Sequence, residues 1–571
     1  MKYIYNNNLA IFFGIVLLSM MSFLIVHPFT LVGGDEGRFV QDALRIGRGE
    51  IPIVDYGTRA PILSLFINIS SEIFGRSLFV FRLPVMLFSA FSAGMIFLLG
   101  TLLVSRKVAI VAALLFALTP VTLWNNVVIK TEALTVLCII VSAYFFVYGF
   151  QRSRGLYLFI SGIPLGIAYI ERQSVVAFML TIAAVVIWDA WREKTGSIKK
   201  IIERGVLIVG GVVVGFLPIF LFFAYYNFSS ASAMWFTTSM FQAGQAAKEA
   251  PIDASSGYVS DFWRGWILSF VEILAVQAGI LFFALGAFCI SIFRASSLFN
   301  RQLANFLSAV FGVLFFGAFF AHAAIIVSHG TFRPWLFLSL SIIVGCMLGI
   351  FFRSSRASRD YIVTVQEHSF RTIFLLFWMG GLFISYSFFS PGYIREWIPA
   401  LCFITAMLLD VLARGRRSTL LVGVIVICFW LVGGAWFQSP KTGGWWWTQK
   451  TINETASYLN IHTTPDQKIF SANPLPVMIA GRRTVADITS YAIVFSKNAD
   501  DHFSSFPSPN EMLFLLKKDP PPYVIVDRRM ESHFFGTYAF FKDFVIKKYE
   551  PEVVFGANEK RGRTEIWRLK K

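Results

Sequence analysis

The chain has 571 residues, 56% hydrophobic and 17% aromatic, with 15% charged. That balance excludes an ordinary soluble protein, in which roughly 25% of residues carry charge. The formal net charge of +17 is spread over cations lying between apolar runs, with no basic patch interleaved with stacking aromatics. This argues against nucleic acid and for membrane lipids and phosphate-bearing substrates as partners.

In chain order, apolar runs fall near 9–27, 79–104, 108–124, 132–150, 156–170, 174–190, 206–226, 266–292, 303–327, 335–352, 372–389, 396–413 and 418–436. Backbone polar groups in lipid must pair within their own segment, so these runs are helices, about thirteen spans in all. The first is read as retained, because no small-residue cleavage site follows His27-Pro28. The pairs Gly162/Gly166, Gly211/Gly215 and Gly345/Gly349 suit close helix packing. Cys138, Cys289, Cys346, Cys402 and Cys428 all sit inside apolar runs, so neither a disulfide framework nor a metal site is readable from them.

Alternate loops separate by charge. One set carries Arg106 and Lys107, then Arg192, Lys194, Lys199, Lys200 and Arg204, and later Arg414, Arg416 and Arg417. The opposite loops hold mostly single cations such as Lys130, Arg172, Arg333 and Arg395. The positive-inside rule places the richer set in the cytoplasm, with the N-terminus. An odd span count then puts everything after residue 437 outside.

The expected fold is therefore a polytopic α-helical membrane protein with a C-terminal extracytoplasmic α/β domain. Residues 1–436 form the transmembrane domain with an outer loop at 28–78, and residues 437–571 form the soluble domain. Trp445, Trp446 and Trp447 read as an interfacial belt at its start. Beyond them, 449–460 and 509–518 read as helices, and Lys468–Ser471, Tyr523–Asp527 and Thr564–Leu569 as strands.

The chemistry concentrates in the outer loop. Gly34-Asp35-Glu36-Gly37-Arg38-Phe39 opens it, and Asp55-Tyr56-Gly57-Thr58-Arg59-Ala60-Pro61 leads to the next apolar run. A carboxylate can deprotonate or orient an acceptor hydroxyl, and a guanidinium can hold a phosphate bidentately. One loop offering both suits group transfer from a phosphate at a membrane surface. His329 and Arg333 share another short outer loop and could also reach a phosphate.

The Asp-Glu-x-Arg-aromatic pattern after the first span resembles the GT-C type membrane glycosyltransferases. The likeness is to the branch of protein O-mannosyltransferases and the lipid A aminoarabinose transferase. Phe81-Arg82-Leu83-Pro84 is similar to that branch's R-L-P element, and Lys130-Thr131-Glu132-Ala133-Leu134 to its acidic position after the third span. Leu165–Arg172 is similar to its G-L-A-x-L-T-K-G stretch, with Arg172 in the lysine's place, and Tyr393–Pro399 to a late R-Y-x-x-P element containing Arg395.

The resemblance implies an inverting transfer from a polyprenyl-phosphate sugar to a lipid, glycan or protein acceptor on the extracytoplasmic face. Asp35 would be the catalytic carboxylate, with Glu36 beside it in positioning or metal contact. Arg59, and with it Arg172, Arg333 and Arg395, would bind the donor phosphate. Arg38, Glu132 and His329 are further candidates. A divalent cation is open on this reading, with no legible ligand cluster. A transporter or flippase for a lipid-linked or anionic substrate is the alternative, though such chains usually show inverted repeats and broken helices at mid-bilayer.

Overall fold

The computed structural model describes residues 2–33, 36–56, 61–119, 123, 126–192, 198–232, 374–375, 378, 398–412, 447–487, 509–527, 530–535, 538–556 and 563–570. The expected spans at 266–292, 303–327, 335–352 and 418–436, and the pair Gly345/Gly349, lie outside them.

Among the described residues, the first part of the chain is built of helices. They are α1 (Lys2–Val26), α2 (Glu36–Gly47), α3 (Pro61–Phe74), α4 (Leu78–Leu103), α5 (Arg106–Leu118), α6 (Glu132–Gln151), α7 (Gly155–Glu171), α8 (Val176–Arg192), α9 (Ile198–Ser232) and α10 (Ile398–Leu412). Side-chain oxygens of Ser77 and Ser105 accept the Val80 and Val108 amides at 3.2 and 3.4 Å and start α4 and α5. Among the described residues, five stretches are long and apolar enough to cross a membrane: Asn7–Val26, Leu78–Leu103, Glu132–Gln151, Gln173–Ala190 and Ile198–Ser229. At 13 residues α5 is shorter than a full crossing of about 20. The first loop, which the sequence showed only as a gap between spans, holds the helices α2 and α3.

Glycines bring α7 and α9 together. A side chain on Gly162 would run into the Ile208 carbonyl, and one on Gly166 into the Val212 carbonyl. Gly211 and Gly215 meet the Phe159 and Ile163 carbonyls in return, so both small-residue pairs are packing surfaces. At the cation-rich ends, Arg204 of α9 pairs with Asp189 of α8 at 2.7 Å.

The C-terminal part holds α11 (Gln449–His462), β1 (Lys468–Ser471), α12 (Leu475–Ile479), β2 (Arg483–Thr484), α13 (Pro509–Lys518), β3 (Tyr523–Asp527), α14 (Ala539–Lys548), β4 (Tyr549–Phe555) and β5 (Thr564–Leu569). The sheet order is β2-β1-β3-β5-β4. β1 pairs parallel with β2 and β3, while β5 runs antiparallel to β3 and β4. Phe470, Val524, Val526, Met512, Leu516 and Phe541 share one apolar core on this sheet.

A second core joins this part to the first loop. Val32, Phe39, Val40, Leu44, Leu63 and Phe81 pack in one cluster with Trp447, Ile452, Leu459, Ile469 and Leu475. Val32 and Trp447 form an antiparallel bridge, Val32 N–H donating to the Trp447 carbonyl at 2.8 Å and Trp447 N–H returning the bond at 3.1 Å. Trp447 is thus 4% exposed and buried in protein, contrary to the interfacial belt expected of it. Gln449 adds amide bonds to the His27 and Thr30 carbonyls.

Candidate active site

Glu36 begins α2, directly after the Gly34–Asp35 pair. Its carboxylate is fully buried, and four donors reach it. Oε1 accepts from Gly33 N at 2.8 Å and Arg82 Nη2 at 2.7 Å, while Oε2 accepts from Arg82 Nε at 2.8 Å and Ile129 N at 3.1 Å. Two carboxylate oxygens offer about four lone-pair sites, so this group is saturated. It holds no spare lone pair for a metal ion or a substrate proton. The Glu36 amide closes back on the Gly33 carbonyl at 3.2 Å, so the residues on either side of the Gly34–Asp35 pair are tied together.

Arg82 is buried as completely as Glu36. Its remaining donors go to Thr30 Oγ1 at 2.6 Å and the Leu31 carbonyl at 3.0 Å. The R-L-P element therefore works as a clamp on residues 30–36. Its proline has a local consequence, because Pro84 has no N–H to offer the Val80 carbonyl, and Ser70 of α3 bonds that oxygen instead at 2.9 Å. The charge in an apolar run was visible in the sequence, and such charges are seldom idle. Its partner lies 46 residues away and was not visible.

Two further ionic contacts lie at neighbouring helix ends. Glu132 opens α6 and pairs with Arg172 at 2.9 Å, and Arg172 also reaches Thr131 Oγ1 at 3.3 Å. Glu171 closes α7, buried, with Oε1 accepting the Ile62 and Leu63 amides at 2.6 and 3.2 Å. A carboxylate at a helix C-terminus opposes the helix dipole, and here it serves the N-terminus of α3 instead. That mismatch, within the Leu165–Arg172 stretch, was the available signal for Glu171.

Of the expected site residues, the structure therefore brings Glu36, Glu132 and Arg172 to adjoining helix ends, and Arg38 is buried on α2 at 8% exposure. Asp35, Arg59, His329, Arg333 and Arg395 lie outside the described residues. Asp35 adjoins Glu36 in the chain, and Arg59 precedes Pro61, the first residue of α3. Among the described residues no group of three or more His, Cys, Asp or Glu side chains is placed to hold a metal ion. Glu36 and Glu132 already meet arginines, so neither fits a divalent cation as it stands.

Residues 58–222 match the family model described as dolichyl-phosphate-mannose-protein mannosyltransferase. No curated protein matches the chain by sequence. Its fold is similar to that of ArnT from Cupriavidus metallidurans bound to undecaprenyl phosphate, with a TM-score of 0.55 at 14% identity over 98% of this chain and 97% of that one. It is also similar to the Archaeoglobus fulgidus oligosaccharyltransferase in complex with zinc and sulfate, with a TM-score of 0.51 at 14% identity over 96% of this chain and 72% of that one. Residues 58–222 are thus similar to the dolichyl-phosphate-mannose-protein mannosyltransferase family, and the chain shares the fold of these two membrane proteins.

Proposed function

We propose that the chain transfers a sugar, with inversion, from a polyprenyl-phosphate carrier to an acceptor on the extracytoplasmic face of the membrane. One observation carries the reading. Three separate contacts, Arg82–Glu36–Ile129, Arg172–Glu132 and Glu171–Ile62, fasten the starts of α2, α3 and α6 and the end of α7. Asp35 and Arg59 are chain neighbours of the fastened residues. A frame this heavily bonded suits a site whose reacting groups must be held still.

In this reading Asp35 takes the proton from the acceptor hydroxyl as its oxygen attacks the sugar's anomeric carbon. The bond from that carbon to the phosphate oxygen breaks, and polyprenyl phosphate leaves with the electron pair. Arg59 neutralises the departing phosphate, with Arg172, Arg333 and Arg395 as further cations for it. Glu36 is a positioning residue, since its acceptor sites are filled.

The test is the full chain reconstituted in nanodiscs with undecaprenyl phosphates bearing labelled hexoses and pentoses. Release of sugar-free undecaprenyl phosphate that depends on added lipid, glycan or peptide acceptor is expected. Intact donor throughout the panel would sink the reading, and movement of intact donor across a sealed bilayer would favour a flippase.

A further inference from the structure

Asn473 stands between β1 and α12 and is 1% exposed. Its Oδ1 accepts the Leu475 amide at 3.1 Å, which fixes the oxygen end of the side chain. The backbone around it is tied to Ser471, whose Oγ donates to the Asn473 carbonyl at 2.6 Å and accepts the Asn473 amide at 3.2 Å. The other end, Nδ2, is buried with no hydrogen-bond partner. Native proteins leave few such donors unmet. Capping Leu475 does not require one, because aspartate or serine would supply the same acceptor.

The place of this amide gives it a use. A Cβ on Gly37 would lie 3.0 Å from Asn473 Oδ1 and 2.9 Å from Pro474 Cγ, so Asn473 and Pro474 rest directly on Gly37, next in the chain to Glu36. One helical turn beyond Gly37, Gln41 is likewise fully buried. Its Nε2 is fixed on Thr484 Oγ1 at 3.1 Å, and its Oε1 has no partner. The C-terminal domain therefore brings a spare donor to α2, and α2 itself carries a spare acceptor, both neutral and both buried.

We propose that Asn473 Nδ2 donates to a hydroxyl oxygen of the sugar being transferred, so that the C-terminal domain supplies part of the donor site. This rests on the function proposed above. A phosphate would call for cations, whereas a sugar hydroxyl is served by an uncharged amide. Gly37 completes the arrangement, because any side chain there would push Asn473 away.

The test uses the full chain in nanodiscs, the donor being whichever member of the undecaprenyl-phosphate sugar panel the wild type consumes. Asn473→Ser keeps an oxygen for Leu475 and removes the amide, and Asn473→Asp keeps the shape and removes the donor. Both variants should bind sugar-free undecaprenyl phosphate within about twofold of wild type. Their kcat/KM for the sugar-bearing lipid should fall roughly 3- to 10-fold, the worth of one neutral hydrogen bond. Wild-type turnover by Asn473→Ser would overturn the assignment. So would parallel loss of sugar-free lipid binding in both variants, which would make the residue structural. A wild-type protein that consumes no donor would instead overturn the function itself, and the assignment with it.

Discussion

A carboxylate with all its acceptor sites filled and a carboxylate one residue earlier should respond differently to the same loss of charge. Glu36→Gln leaves the guanidinium of Arg82 buried without its counter-ion. Breaking a buried pair from one side typically costs about 3–5 kcal/mol. The variant should therefore show its defect in folded yield and in the midpoint of thermal aggregation. Replacing both partners, as Glu36→Gln with Arg82→Met, should restore part of that stability. Asp35→Asn should keep a wild-type melting midpoint while turnover falls about 10²- to 10⁴-fold, the usual worth of a general base. A stable, inactive Glu36→Gln beside an active Asp35→Asn would move the base by one residue. The Asp-Glu-x-Arg and R-L-P elements were each legible in the sequence as places where charge sits beside apolar runs. That Glu36 and Arg82 clasp each other was not, because spacing along a chain carries no distance between residues 46 apart.

Helix ends and helix faces carry the next set of consequences. The start of α3 is held by Glu171, and Arg59 lies just ahead of that start. Arg59→Ala should weaken use of the lipid-phosphate donor roughly 10- to 150-fold, the loss of a charge-assisted contact of about 1.5–3 kcal/mol, with expression unchanged. Unaltered KM and kcat would remove Arg59 as a phosphate ligand. Along the faces, Gly162 of α7 has the Ile208 carbonyl where its side chain would stand. Gly162→Leu should force α7 and α9 apart at a cost of about 1–3 kcal/mol, read as a lower midpoint of thermal inactivation. An unchanged midpoint would mean that the two helices do not meet there. These glycine pairs, and the strands Lys468–Ser471, Tyr523–Asp527 and Thr564–Leu569, were readable because four-residue spacing and short apolar runs are local signals. β2, at two residues, and β4, which runs Tyr549–Phe555 through Glu550, Pro551 and Glu552, offer no such pattern. They become strands only because β1 and β5 provide edges to pair with.

At the scale of the whole molecule, the first loop and the C-terminal domain share a core, so they must lie on one side of the membrane and fold together. The charge pattern predicts that this side lies outside the cytoplasm, and the Val32–Trp447 bridge allows that placement to be tested. Residues directly opposite in a hydrogen-bonded antiparallel pair have Cα atoms about 5.5 Å apart, within the range a disulfide spans. The double variant Val32→Cys, Trp447→Cys should then form a crosslink spontaneously in cells, because extracytoplasmic compartments are oxidising and the cytosol is not. The native cysteines all sit inside apolar runs and compete poorly for either new thiol. A protease site inserted after Gln438 makes the readout simple. Cleaved protein should run as one species on a non-reducing gel and as two after reduction, and each single variant should separate without reductant. If the pair stays reduced in intact cells and closes only when oxidant is added to isolated membranes, the packing is right and the orientation is inverted. If it never closes, the shared core between loop and domain is wrong, and with it the contact that sets Asn473 against Gly37.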